Sequence, residues 1–114
     1  MYALKFYERC YMQELSKANR RYLKGLAHSM KPMVQVGKQG VTDTVVDALD
    51  EVLEAHELVK VKFIDHKDEK NELAEALADR TRSYLVGVLG NIATFYRQQE
   101  DESKRNIILK EPLG

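Results

Sequence analysis

A chain of 114 residues, 44% hydrophobic and 32% charged, has the length of one compact domain, able to bury about 65% of the surface its unfolded form exposes. Its uncharged runs fall far short of the ~20 apolar residues that cross a bilayer, and Lys5, Glu8 and Arg9 interrupt the N-terminal "MYALKFYERCYM" as no secretory leader would, so a cytoplasmic protein is expected. Net charge is zero, from 18 basic and 18 acidic residues, and the lone Cys10 excludes an internal disulfide and a cysteine-paired zinc site.

In "LSKANRRYLKGLAH", Ser16 is placed to cap a helix whose apolar stripe is Ala18, Tyr22 and Leu26, joined by Leu23 and Ala27, and which ends near Ser29. Pro32 disfavours helix at Lys31, and "MVQV" then alternates as a short strand that runs into "GKQG". Glycine tolerates positive φ and permits close approach to the backbone, so Gly37 and Gly40 predict a tight turn built for contact. A second helix follows, capped by Thr42 or Asp43, with Val45, Val46, Leu49, Val52 and Leu53 on one face and Asp43, Asp47, Asp50, Glu54 and Glu57 on the other. "ELVKVKF" alternates as a strand with Val59, Val61 and Phe63 inward and a polar face of Lys60 and Lys62.

A third helix is predicted from about Lys67 to Arg82, capped by Asp65 or Asp68, with Leu73, Ala74, Leu77 and Ala78 apolar. "SYLVGVLGNIATFYR" reads as two strands around Gly90-Asn91, a glycine-first connection suited to a tight hairpin. The order α-β-α-β-α-β-β implies a single α/β (α+β) domain with a four-stranded mixed sheet, crossover helices between parallel neighbours and one antiparallel pair. The tail "QQEDESKRNIILKEPLG" begins as a charged linker, and "NIIL" either adds edge packing or stays mobile.

Charge is segregated along the chain. Ser16 to Thr42 holds six basic residues, Lys17, Arg20, Arg21, Lys24, Lys31 and Lys38, and no acid, whereas Asp43 to Leu58 holds six acids and no Lys or Arg. Either block can be a solvated face, but the basic one encloses the glycine turn. "VGKQGVTD" fits neither GxxxxGK[ST] nor GxGxxG, and His28, His56 and His66 lack metal-ligand spacing, so no cofactor, metal or catalytic constellation is expected. A GxxG turn between strand and helix instead offers backbone N–H groups and a helix N-terminus to a phosphate, as KH modules do for single-stranded RNA. Lys38 and the basic helix upstream extend that attraction.

The run Leu23 to Phe63, with "LKGLAH", "KP", "GKQG" and "HELVKVK" in order and "GNIATFYR" further on, resembles the YhbY-type family, whose module is the CRM domain of chloroplast RNA splicing and ribosome maturation. The likeness extends from about Leu15 to Arg97. It implies a fold similar to the C-terminal domain of bacterial translation initiation factor three, and a stand-alone bacterial form that associates with large-subunit (50S) precursors and binds RNA without catalysis. It places the GxxG loop on Gly37, Lys38, Gln39 and Gly40 and the basic helix on Arg20, Arg21 and Lys24, to which Lys31 adds from the acid-free stretch. Residues 14–98 are then the RNA-binding domain of an expected monomer, and 99–114 a tail. Residues 1–13 form an extension unusual for the family. Tyr2, Leu4, Phe6, Tyr7, Cys10 and Tyr11 either build an extra helix or stacking arm, or, as the preferred reading, belong to a mobile or over-long start ahead of Met12. The competing function is a protein-interaction module whose acidic stripe docks a basic ribosomal protein.

Overall fold

The computed structural model describes residues 15–113, so the expectations for residues 1–13 and for a start at Met12 lie outside the described residues. Seven elements follow the predicted order: α1 (Lys17–Ala27), β1 (Val34–Val36), α2 (Asp43–His56), β2 (Leu58–Phe63), α3 (Lys70–Thr81), β3 (Tyr84–Leu89) and β4 (Ile92–Tyr96). The local start signals for the first two helices act as read. Ser16 Oγ accepts the Asn19 N–H at 3.1 Å, and Thr42 Oγ1 accepts the Val45 N–H at 3.2 Å. Gly90 takes φ 60° at the first position of the two-residue connection between β3 and β4, where a side chain would be strained.

The third helix departs from its predicted start. Neither Asp65 nor Asp68 caps it: Asp65 Oδ1 accepts the neighbouring His66 N–H at 2.7 Å, and His66 itself turns left-handed, φ 58°. That turn leads into a short 3₁₀ segment, Lys67–Glu69, and only then into α3.

The sheet order is β1-β2-β4-β3, with β1 parallel to β2 and β4 antiparallel to both its neighbours. There are thus two antiparallel pairs rather than one, and α3 does not join adjacent strands. The reason lies in β4, whose Ala93 and Phe95 face one side and Tyr96 the other, all fully buried. A strand covered on both faces belongs in the sheet interior. One face of the sheet packs on α2 and α3 through Val46, Leu49, Leu53, Leu77, Phe63 and Phe95. The opposite face is covered by α1 through Leu23 and Ala27 against Leu58, Val86 and Tyr96.

That second layer corrects three sequence expectations. The buried row of α1 is Asn19, Leu23 and Ala27, one position round from the predicted stripe, because Asn19 exchanges two 2.9 Å hydrogen bonds with the backbone of Glu111 and Ala18 and Leu26 are left outside. Asn19 is buried without penalty because both polar atoms are paired. The polar face of β2 is only partly polar: Leu58 is core, and Lys60 is half-buried with Nζ donating to Met30 O at 3.1 Å.

Glu57, assigned from its spacing to the solvated acidic stripe, is 1% exposed. It terminates α2 at φ 65°, which swings its side chain away from the other acids. Its carboxylate accepts the N–H groups of Gln99 at 2.8 Å, Asn106 at 2.8 Å and Ile107 at 3.1 Å. The tail is therefore fastened to the domain, and Ile107, Leu109 and Leu113 pack beside α1. Replacing Glu57 by Ala should cost about 2–3 kcal/mol, as expected when backbone donors lose a charged acceptor. Urea unfolding measures the loss, and limited proteolysis should cut within residues 99–111; a variant as stable and as resistant as the wild type would show that Glu57 does not hold the tail.

Candidate nucleic-acid interface

Gly40 N–H donates to Gly37 O at 3.0 Å and closes a four-residue turn with exposed Lys38 and Gln39 at its tip. Only the second glycine is required by the backbone: Gly40 has φ 74°, and a Cβ there would lie 3.7 Å from the His66 ring, whereas a Cβ on Gly37 would meet nothing within 4 Å. Open space at Gly37 leaves its backbone accessible from outside. Among the described residues, no partner is found for the N–H of Lys38 or Gln39. The N-terminus of α2 contributes less than its dipole suggests, because Thr42 already caps it and Asp43 places a carboxylate in the first turn, itself paired with Arg80.

The loop is held from the side by His66. Its Nε2 donates to Lys38 O at 2.6 Å while Nδ1 lies 3.4 Å from Glu69 Oε1. The hydrogen bond to the Lys38 carbonyl and then the Glu69 carboxylate both favour the imidazolium and raise its pKa above the ordinary 6.5. Sequence spacing gave no sign of this contact, which joins residues 28 apart.

The basic residues of α1 divide in two. Arg20 is half-buried, with Nη1 donating to the carbonyls of Leu85, at 2.9 Å, and Val86, beside the register break between Leu85 and Gly87. Its guanidinium fastens α1 to β3. Arg21, Lys24 and, beyond the helix, Lys31 are exposed. The Lys24 stem crosses Gly87 so closely that a Cβ there would sit 2.9 Å from Lys24 Cε and push that flexible chain end aside. Arg21 lines a shallow cleft with Lys17 and Tyr22, where Lys110 Nζ stands 4.6 Å from the Tyr22 ring centre.

Register places these groups relative to one another. Gly87 pairs with Thr94 and Thr94 with Lys60, so Lys24 stands level with Lys60, three residues (about 10 Å) before Phe63. Phe63 pairs with Val36, the residue before the GxxG loop, and its N–H donates to Asn91 O at 2.7 Å. The loop, the His66 turn and the hairpin tip thus occupy one end of the sheet, and α1 runs towards it. On the sheet face that α1 covers, exposed Gln35 and Lys62 are paired neighbours that the sequence did not single out as a site.

Acids are absent from the elements that build this side, although the tail beside α1 carries Glu111 and the His66 turn brings Glu69 near the loop. Among the described residues, none occurs in residues 16–42, 58–64 or 81–99, which supply α1, all four strands and the loop. The acids lie on α2 and its cap, in 65–79, and in 100–111. Arg80 and Arg97, on that side, are spent on Asp43, Asp50 and Glu54. No group of three or more potential metal ligands is found among the described residues, and no described helix is long and apolar enough to cross a membrane.

The architecture is a strand-turn-helix loop pinned at one end of a mixed α+β sheet, beside a basic helix. Residues 15–97 match the CRS1 / YhbY (CRM) domain, and the chain belongs to that family. It is similar to the "Probable RNA-binding protein YqeI" of Bacillus subtilis, 37% identical over 91 residues that cover 79% of this chain and 95% of that one. An "RNA-binding protein" of Haemophilus influenzae is 34% identical over 79% of this chain and 92% of its own. The solution structure of SAV1595 from Staphylococcus aureus superposes with a TM-score of 0.70 at 37% identity, covering 82% of this chain and 99% of that one.

Because the folded pKa of His66 is raised, the stability it lends is complete below the unfolded value of 6.5 and fades as pH rises through the folded value. A proton NMR titration should therefore give His66 a midpoint above 6.5, and Glu69→Gln should move it down. A midpoint at or below that of an unfolded peptide would contradict the contact with Lys38 O.

Proposed function

We propose that this protein is a non-catalytic RNA-binding factor of ribosome assembly, acting in the cytoplasm on large-subunit (50S) precursors through ribosomal RNA. The observation that carries the reading is the GxxG turn, which offers two N–H groups and Lys38 beside a helix and four strands that contain no acid. The family and the names of the relatives support RNA as the ligand. In this reading Gly37, Lys38, Gln39 and Gly40 receive a sugar-phosphate backbone, and Arg21, Lys24 and Lys31 continue the track by charge. Arg20 serves the track by holding α1 on β3. The acidic stripe is the weaker candidate surface, since Asp43, Asp50 and Glu54 already have arginine partners.

The test combines Lys38→Asp with Gln39→Asp. Both positions are exposed, so stability should change by no more than ~0.5 kcal/mol. Two carboxylates in the place of a phosphate should weaken binding to ribosomal RNA at least tenfold, about 1.4 kcal/mol, and abolish co-sedimentation with large-subunit precursors. A folded variant with undiminished affinity sinks the proposal. A second variant, Arg21→Ala with Lys24→Ala, should shallow the slope of log affinity against log salt by about 0.7 for each single-strand phosphate that α1 no longer neutralises. An unchanged slope would remove α1 from the RNA surface.

A further inference from the structure

Beside α1 the sheet is not fully covered. A groove of about 410 Å³ opens there, its walls formed by Lys24 and His28 from α1 and by Leu89 and Ile92 flanking the hairpin turn, with Lys60 and Gly87 beneath. Three features of the groove are unusual for a simple packing defect. Leu89 is 85% exposed at its rim, a large apolar side chain left in water. Gly87 puts no side chain into the groove floor, and the Lys24 chain lies across it, 2.9 Å from where a Cβ would stand. The strands and helix that form it contain no acid, while Lys24 overhangs it and Lys62 lies along the same sheet face, paired with Ile92. Apolar walls with cationic rims suit a ligand that is flat and apolar in one part and anionic in the next.

A nucleotide has that character. We propose that the RNA held by the GxxG loop is single-stranded and continues from the loop across the sheet face, past Gln35 and Lys62, to seat one unstacked base against Leu89 and Ile92 with its phosphate towards Lys24 and Lys62. The inference rests on the RNA-binding reading above and extends its site from the loop to the sheet. Continuity supports it: Gln35 is two residues before Gly37 and pairs with Lys62, which pairs with Ile92 in turn, so one path of neighbouring residues leads from loop to groove. Charge supports it as well, since a phosphate on this path meets three lysines, Lys24, Lys60 and Lys62, and no carboxylate. A base already paired in a duplex must first be unpaired and unstacked, which selects the single strand.

The experiment uses the full chain and two single-stranded RNA probes of four and twelve nucleotides, with the twelve-mer also supplied as a duplex. A GxxG clamp spans about four nucleotides, so the short probe reports on the loop alone. The variant combining Lys62→Glu and Leu89→Asp changes only exposed side chains. It should bind the single-stranded twelve-mer at least tenfold more weakly and the four-mer as the wild type does. The Lys38→Asp, Gln39→Asp variant should lose both. In the wild type, titration with the twelve-mer should shift the amide NMR signals of Lys62, Leu89, Ile92 and Thr94. If the sheet variant keeps full affinity for the twelve-mer while the loop variant loses it, the sheet path is wrong and the clamp stands. If neither variant loses affinity, both readings fail. A duplex bound as tightly as the single strand, or unmoved signals at Leu89 and Ile92, overturns the groove assignment even where the sheet variant proves unstable.

Discussion

The pairing of β4 between β2 and β3 is the constraint on which the rest of the structure depends. It gives β4 two buried faces, and so obliges the domain to place a helical layer on each side of the sheet. It also fixes the height of the hairpin tip. With Lys62 opposite Ile92 and Phe63 donating to Asn91, the tip stands at the end of β2, where the parallel partner β1 delivers the GxxG loop. A shift of one residue would turn Ala93 and Phe95 away from α2 and α3 and exchange them for Thr94 and Tyr96, so the hydrophobic pattern defends the register that aligns the hairpin tip with the GxxG loop.

The layer formed by α1 is thinner and needs outside support. It buries only Leu23 and Ala27 as apolar residues of the helix itself, and the tail completes the cluster with Ile107, Leu109 and Leu113. Three polar fastenings hold this layer: Arg20 on the carbonyls of Leu85 and Val86, Asn19 on Glu111, and Glu57 on the tail N–H groups. Each satisfies buried or half-buried backbone that would otherwise be costly. The position of Arg21 and Lys24 on the surface is therefore a consequence of contacts made by residues 57, 85–86 and 99–111, far from them in sequence.

What was legible in the sequence follows this division. Ser16, Thr42 and Gly90 act within three residues of themselves, and all three were readable as caps or turn. The inward faces of α2 and β2 followed from their periods because a large, wholly apolar core awaited them. Two of the errors lie where a polar side chain answers a distant backbone. Asn19 displaces Ala18 from the buried row by bonding to Glu111, and Glu57 leaves the acidic stripe to cap a tail about fifty residues on. Composition cannot distinguish such residues from their solvated neighbours. In the candidate site the same limit applies. The GxxG turn and the basic block were visible as strings, whereas His66 on Lys38 O, and the place of Gln35 and Lys62 beside the groove, depend on which strands pair.

A net charge of zero does not weaken the case for an anionic partner, and the dimensions say why. The domain measures 39 × 37 × 24 Å, and its acids lie with α2 and α3 across the sheet from α1, apart from those of the tail. At physiological salt the Debye length is about 8 Å, so charges on opposite faces, separated by nearly the thickness of the molecule, are screened from one another several times over. The surface beside Lys38, Lys62 and Lys24 therefore presents the local lysines rather than the sum over the chain. The Arg80 and Arg97 pairs reinforce this by keeping the cations of the acidic side occupied there. Neutrality overall then limits unspecific attraction at long range, where only net charge acts, while leaving the lysines of one face to act at contact.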